Sequence, residues 1–224
     1  MKASLINACS IKNKSSTLYD LIVDKSLDLL FITETWLSEY DTSAIAAFLP
    51  ETHNFFHCPR KEGRGGGVGV AVSKRLKSVK SNCLSFDSCE CLQLTVTHEN
   101  RKVTCNLVYR PPQSNISQFL EDFEVLVMNS ETSGESNIYL GDYNIWMDKH
   151  FDTRTMEFGR VLESYSLENL IETPTHRLGH TIDLIIVRSG SSLVTNLEVE
   201  PQNTISDHKN ISFQIKSCIY PQKK

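Results

Sequence analysis

The chain has 224 residues, of which 40% are hydrophobic and 22% charged; this suits one domain whose core needs no disulfide staples and excludes a disordered or low-complexity protein. No apolar run approaches the roughly 20 residues of a membrane span, and the opening MKASLINACS carries no signal-peptide h-region. The formal net charge of −4 weighs mildly against a nucleic-acid binder, but carboxylates gathered around a divalent cation produce the same balance without repelling a phosphate.

Seven cysteines, Cys9, Cys58, Cys83, Cys89, Cys91, Cys105 and Cys218, make an odd set with no CxxC pair. They predict free thiols in a reducing compartment and give little support to a structural zinc. Cations cluster at Lys12 and Lys14, at Arg60–Lys61–Arg64, and at Lys74, Arg75, Lys77 and Lys80. These read as solvated loops or as phosphate contacts.

In chain order, strands are predicted at Ser4–Ala8, Asp28–Thr33, Val68–Ser73, Cys91–His98, Val103–Tyr109, Asn137–Gly141, Ile182–Arg188, Leu193–Glu198 and Ile211–Lys216. Leu29–Ile32 is continuously apolar, as in a central strand covered on both faces. Leu92, Leu94 and Val96 alternate with polar neighbours, as in a half-buried one. Helices are predicted at Ser15–Ser26, capped by Ser15 or Ser16; at Ile116–Met128, with Phe119, Leu120, Phe123 and Leu126–Val127 on one stripe; and at Thr155–Tyr165, with Met156, Phe158, Val161 and Leu162. Helices alternate with strands early and strands dominate late, which predicts a mixed α/β sandwich over residues 1–224 as a single domain.

Acidic and amide residues collect where strands should end. Asn7 closes the first strand, Glu34 follows LLFIT, Asp142 and Asn144 follow IYLG, Asp183 lies within TIDLIIV, and Asp207–His208 precede the last strand. Rigid elements hold such positions while loops leave access. Hard oxygen ligands, a carboxylate able to take a proton from water and an imidazole oriented by a carboxylate are the parts for metal-assisted phosphodiester hydrolysis. No GxSxG elbow or phosphate-binding GxxxxGK[ST] loop is present. Asp183 in an apolar strand requires a partner, and His208 is the candidate. The bland readings are turns for Asn7 and for GDYN, a surface carboxylate for Glu34 and a strand aromatic for Tyr109. The run from Arg64 to Gly69 reads as a tight turn entering a strand rather than a phosphate cradle. His53, His57 and Cys58 read as loop packing or solvent exposure rather than zinc ligands, His176 and His180 as loop-shaping or DNA-contacting, and Trp36 and Trp146 as packing near the site walls.

The ordered set Asn7, Glu34 in ITETWL, Tyr109 in YRPP, Gly141-Asp142-Tyr143-Asn144, Asp183 in HTIDLII and Ser206-Asp207-His208 resembles the endonuclease/exonuclease/phosphatase superfamily. ITETWL, LVYRPP, THRLGH and ISDH resemble the endonuclease domain of LINE-type (non-LTR) retrotransposons. The resemblance implies a DNase I-like fold: a four-layered α/β sandwich of two packed, mainly antiparallel β-sheets flanked by helices. It implies Mg²⁺, with Mn²⁺ as a substitute, held by Glu34, Asn7 and Asp207. Asp142 would activate water, Asn144 orient it, Tyr109 donate to phosphate or the leaving oxygen, and His208, held by Asp183, stabilise phosphoryl charge. Thr175, Arg110 and His180 would contact substrate, the loop from Thr175 to Thr181 lying near a DNA groove. The sequence departs from the LINE pattern Asn-x-Arg-Ser at Asn7-Ala8-Cys9-Ser10, where the arginine is absent. The implied partners are double-stranded DNA and a covalently linked reverse transcriptase, with no membrane. The implied domain is monomeric and acts in the nucleus after transit through the cytoplasm. The alternatives are an abasic-site repair endonuclease, a phosphoinositide or lipid phosphodiesterase, and a catalytically silent binding module.

Overall fold

The structure, a computed structural model, describes residues 1–60, 63–98, 101–131, 136–201 and 205–216. Lys61 and Cys218, singled out in the sequence, lie outside the described residues. The strands are β1 (Lys2–Asn7), β2 (Leu29–Thr33), β3 (His53–Cys58), β4 (Val68–Ser73), β5 (Lys77–Ser85), β6 (Glu90–His98), β7 (Arg101–Tyr109), β8 (Ser136–Asp142), β9 (Leu167–Asn169), β10 (Asp183–Arg188), β11 (Val194–Val199) and β12 (Ile211–Ile215). The helices are α1 (Ser15–Asp24), α2 (Thr42–Phe48), α3 (Ile116–Glu131) and α4 (Thr153–Ser164).

The strands form two six-stranded sheets, ordered β11-β12-β1-β2-β4-β3 and β5-β6-β7-β8-β10-β9. Each is antiparallel except for one central parallel pair, β1 with β2 and β7 with β8. A parallel pair needs a long crossover, and α1 and α3 supply those two connections.

Three cores give four layers. Between the sheets lie Leu29 and Phe31 with Leu92, Leu94, Val96, Leu107 and Leu140. Outside the first sheet, Leu30 and Ile32 meet Leu18 and Ile22 of α1 and Phe48 of α2. Outside the second, Tyr139 and Leu184 meet Phe119 and Phe123 of α3 and Phe158 of α4. The continuous apolar run at Leu29–Ile32 thus buries both faces of β2, and the alternation in β6 points Leu92, Leu94 and Val96 at the opposite sheet.

Several local readings change. The α1 cap is Lys14, without a side-chain cap bond, rather than Ser15 or Ser16; its ammonium instead donates to the carbonyls of Ala8 and Cys9. Met156, placed on the apolar stripe of α4, is exposed, and Thr155 is buried in its stead. The expectation of free thiols fails for Cys58 and Cys83, which form a disulfide joining β3 to β5, the edge strands on one side of both sheets. Cys9, Cys89, Cys91 and Cys105 are free.

Gly141 carries the closest approach inside the second sheet. It pairs with Val108 of β7, adopts φ +142°, and a Cβ there would run into the Val108 carbonyl. Both the backbone angle and the contact require glycine. Gly141→Ala is therefore expected to cost about 3 kcal/mol or more. In thermal unfolding this reads as a fall of roughly 10 °C, and melting like that of the parent protein would refute the constraint.

Candidate active site

The parallel strand pairs end at one mouth of the sandwich. Asn7 of β1 lies opposite Thr33 of β2, so Glu34 emerges beside it. Tyr109 of β7 lies opposite Asp142 of β8, and Asp142 opposite Asp183 of β10. The loops leaving these strands take left-handed backbone angles without glycine: Cys9 (φ +43°), Ser10 (+87°), Glu34 (+51°), Trp36 (+53°) and Asn144 (+51°). Such angles persist only where surrounding contacts over-determine them. Here Ser10 N–H donates to Glu34 O at 2.8 Å, Thr35 N–H to Gly67 O at 3.0 Å and Trp36 N–H to Gly66 O at 2.8 Å. The glycine-rich turn thus enters β4, as expected, and also braces the Glu34 loop.

Asn7 joins the two sheets. Its Nδ2 donates to Glu34 Oε1 at 3.1 Å and to Asp142 Oδ2 at 2.9 Å, while its Oδ1 accepts from the Cys9 N–H at 2.9 Å. Asp142 also accepts from the Asn144 backbone N–H at 3.0 Å and from Asn144 Nδ2 at 3.2 Å. Asp183 Oδ2 lies 2.8 Å from His208 Nδ1, which leaves Nε2 on the opposite side of the ring. Ser206 Oγ donates to the Asn7 carbonyl at 2.6 Å and accepts from His208 N–H at 3.0 Å, locking the last loop to the first strand. Trp36 Nε1 donates to Glu34 Oε2 at 3.0 Å.

Burial sets the electrostatics. Burial, then the Asp183 charge, push the Asp142 carboxyl up to about 7, with His208 and the Asn7 and Asn144 donors pulling it back. For His208, burial disfavours the charged ring but is outweighed by Asp183, with Asp142 and Asp207 adding to it, so its pKa rises to about 10 and the ring is an imidazolium at neutral pH. Tyr109 is pushed above its ordinary value by burial, then by Glu34 and Asp142, and remains a phenol. For Asp207, burial is outweighed by its own backbone N–H, Cys9, His176 and His208, and its carboxyl falls below the usual range.

Asp142, Asp183 and His208 form one buried group of possible ligands, but the imidazolium already compensates its charge. Glu34 and Asp207 are half-open to solvent. They are hard oxygen donors of the kind that suits a divalent cation keeping several waters at the open side of the site. The Asn7 amide turns its nitrogen to Glu34 and its oxygen to the Cys9 N–H, so it would add an oxygen to that set only with the amide reversed.

Asn7, Glu34, Tyr109, Asp142, Asn144, Asp183, Asp207 and His208 therefore converge. Three other predicted positions have different neighbours. Thr175 is fully buried, and its Oγ1 accepts from the N–H groups of Ile182 at 3.1 Å and Asp183 at 3.0 Å; it holds the start of β10 rather than a substrate. Arg110 is 1% exposed and donates to the carbonyls of Tyr143, Asn144 and Ser114, so its fork anchors the Asn144 loop from below. His180 lies at the rim, its Nδ1 3.0 Å from Asp148 Oδ2 and its ring stacked on Trp146 at 4.3 Å. Trp146, expected to pack in a wall, is 37% exposed, with Lys149 Nζ 4.2 Å from its ring centre.

Sequence reasoning gave no role to Glu90, and read Arg60 only as part of a cationic cluster and His176 only as a loop-shaping or DNA-contacting residue. Arg60 pairs with Glu90 and lies over the Tyr109 ring at 5.6 Å, while Glu90 accepts from the Gly67 N–H at 2.5 Å. No spacing signals a pair thirty residues apart. His176 lies 3.3 Å from Asp207 Oδ2, and its place within THRLGH was the available signal.

Two packed, mainly antiparallel sheets between helical layers, with an acidic mouth at their parallel strand ends, define a DNase I-like fold. Residues 6–208 match the sequence model of the Endonuclease/Exonuclease/phosphatase family, and the chain belongs to that family. Among solved structures it is similar to the endonuclease domain of TRAS1, a telomere-specific non-LTR retrotransposon, at 16% identity and TM-score 0.75 over 96% of this chain and 97% of that one. It is also similar to the AP endonuclease LMAP from Leishmania major, at 15% identity and TM-score 0.74 over 97% and 88% of the two chains. A 3′-5′ exonuclease, NExo, from Neisseria meningitidis is similar at 16% identity and TM-score 0.73 over 96% and 99%. At these identities the likeness is one of fold. No curated protein sequence matches the chain.

The Thr175 geometry gives a direct test. Thr175→Val keeps the shape and strands two buried N–H donors, each worth about 1–3 kcal/mol, so urea unfolding is expected to show a loss of about 2–4 kcal/mol that Thr175→Ser largely restores. Unchanged stability with a raised KM would return Thr175 to the substrate.

Proposed function

We propose that the protein is a divalent-cation-dependent DNA endonuclease of LINE-type retrotransposon kind, cutting one strand of double-stranded DNA to leave a 3′-hydroxyl that primes reverse transcription. One observation carries the hydrolytic part of this reading. The Asn7 amide bridges Glu34 and Asp142 at 3.1 and 2.9 Å, joining a half-open carboxylate to a buried one beside an imidazolium. The LINE part rests on ITETWL, LVYRPP, THRLGH and ISDH, with the similarity to the TRAS1 domain as support. On this reading a reverse transcriptase is covalently linked in the longer protein. The domain works as a monomer on nuclear DNA after passing through the cytoplasm.

Glu34 and Asp207, with Asn7, would hold Mg²⁺, or Mn²⁺ in its place. The cation would supply charge stabilisation at a phosphoryl oxygen and a lowered pKa for nearby water. The chain supplies the rest. Asp142 takes the proton of the attacking water on a carboxylate oxygen; a carboxyl raised to about 7 is matched to neutral operation. The Asn7 and Asn144 donors fix that carboxylate in place. The His208 imidazolium, oriented by Asp183 at 2.8 Å, presents Nε2–H to a phosphoryl oxygen as charge develops. Tyr109, kept protonated, donates to the phosphate or the departing oxygen.

Nicking of supercoiled plasmid with Mg²⁺, with an EDTA control, tests the activity. Asp142→Ala and His208→Ala are each expected to lower the rate about 10²–10³-fold with folding intact by circular dichroism. Retention of more than about a tenth of the parent rate by either variant refutes its role. Abasic duplex and inositol phosphate assayed alongside separate the repair and lipid-phosphodiesterase alternatives. Cleavage of neither these nor plasmid would favour a silent binding module.

A further inference from the structure

Beside the hydrolytic cluster lies a donor group of different chemistry. The Cys9 thiol, an Asp207 carboxylate oxygen and a His208 ring nitrogen all lie within 4.8 Å of one another. Cys9 occupies a left-handed turn at φ +43°, fixed by its N–H bond to Asn7 Oδ1 at 2.9 Å. This holds its sulfur 3.4 Å from Asp207 Oδ1. His176 Nε2 approaches the other oxygen of Asp207 at 3.3 Å, and its ring lies 4.9 Å from that of His208.

We propose that Cys9, Asp207 and His208 form a site for a thiophilic divalent cation, Zn²⁺, and that its occupancy switches the hydrolytic site off. The donor set is the first argument. Mg²⁺ takes oxygen ligands and has no use for sulfur, whereas one sulfur, one nitrogen and one oxygen suit tetrahedral zinc with its fourth position left to water. Geometry is the second. Zinc–sulfur and zinc–oxygen bonds of about 2.3 and 2.0 Å at a tetrahedral angle place sulfur and oxygen about 3.5 Å apart, and the pair here stands at 3.4 Å. The third is the support behind the histidine. Its Nδ1 is already tied to Asp183 at 2.8 Å, the carboxylate–histidine arrangement that orients Nε2 toward zinc.

The exchange balances simply. Zn²⁺ enters as a thiolate and a neutral imidazole form, and the thiol and Nε2 protons leave to water. The ion removes His208 as a donor to the phosphoryl group and withdraws Asp207 from the open cation patch, so Zn²⁺ inhibits in the presence of excess Mg²⁺. The inhibitory half rests on the proposed hydrolytic role of His208; the binding half does not.

Two measurements test this. In metal-stripped protein titrated with Co²⁺ as the zinc probe, a sulfur-to-cobalt charge-transfer band is expected in the near ultraviolet at one equivalent. Zn²⁺ is expected to bleach it, and Cys9→Ser and Cys9→Ala to lack it. Absence of the band in the parent protein, or its persistence in both variants, overturns the site. In plasmid nicking at saturating Mg²⁺, Cys9→Ser is expected to work at the parent rate and to need at least about tenfold more Zn²⁺ for half inhibition. Equal sensitivity in the two proteins overturns the switch. A protein that nicks nothing still reports on the site through cobalt, which separates failure of the site from failure of the endonuclease reading.

Discussion

A carboxylate and an imidazolium buried side by side, Asp183 and His208, set the terms for the rest of the mouth. Asp183 is 1% exposed and His208 6%, so each charge has left water at a cost of several kcal/mol that only its neighbours can offset. The pair at 2.8 Å supplies the largest part. Asp142, also 1% exposed, adds a negative charge that the imidazolium must share. The surrounding polar groups follow from this arrangement. Thr175 fixes the backbone that carries Asp183, Ser206 fixes the backbone that carries His208, and Asn7 with Asn144 satisfies the oxygens of Asp142. Removing one partner strands a buried charge.

Topology explains why these groups meet. In a purely antiparallel sandwich the ends of adjacent strands alternate between the two mouths. Each sheet here holds one central parallel pair, so β1 and β2 finish at the same end, and so do β7 and β8. The crossovers through α1 and α3 make that possible and cover the outer faces at the same time. Left-handed angles at Glu34 and Asn144 then turn the chain sharply, so that the side chains stay at the mouth. The strain sits at the position where geometry is most constrained, balanced by the bracing from Gly66 and Gly67.

What the sequence made legible follows burial. β2, with both faces covered, announced itself as an apolar run, and β6 announced itself by alternation. α1, α3 and α4 were visible because each buries one stripe. β3 and β5 were not, since both are edge strands whose exposed positions carry polar side chains. Lys77 and Lys80 on β5 are the sort of charge that blunts an edge, and they read as a loop. The site was legible as an ordered set because its members sit at strand ends. The burial of Thr175 and Arg110 against backbone was not legible, because a polar residue near a site looks the same in sequence whether it faces substrate or supports the backbone beneath. Only the donors that surround them tell the two apart. The disulfide was hidden for a related reason: Cys58 and Cys83 stand 25 residues apart on strands that were not recognised.

The acidic balance of the chain does not oppose an anionic substrate, because net charge and local field differ. The buried carboxylates are neutralised where they stand: Asp183 faces His208, and Asp142 is raised until it is partly protonated at neutral pH. Glu34 and Asp207 remain open, and a divalent ion at that point reverses their sign for anything approaching from solvent. Around them the rim is cationic or amphipathic, with Arg64 over Trp36 at 5.5 Å and Lys149 over Trp146 at 4.2 Å. The mouth thus holds an imidazolium and two open carboxylates, with cations stacked on aromatic rings near it. The division between buried, compensated acids and open ones lets one chain be acidic as a whole while its mouth presents an imidazolium beside carboxylates that are free to take a counter-ion.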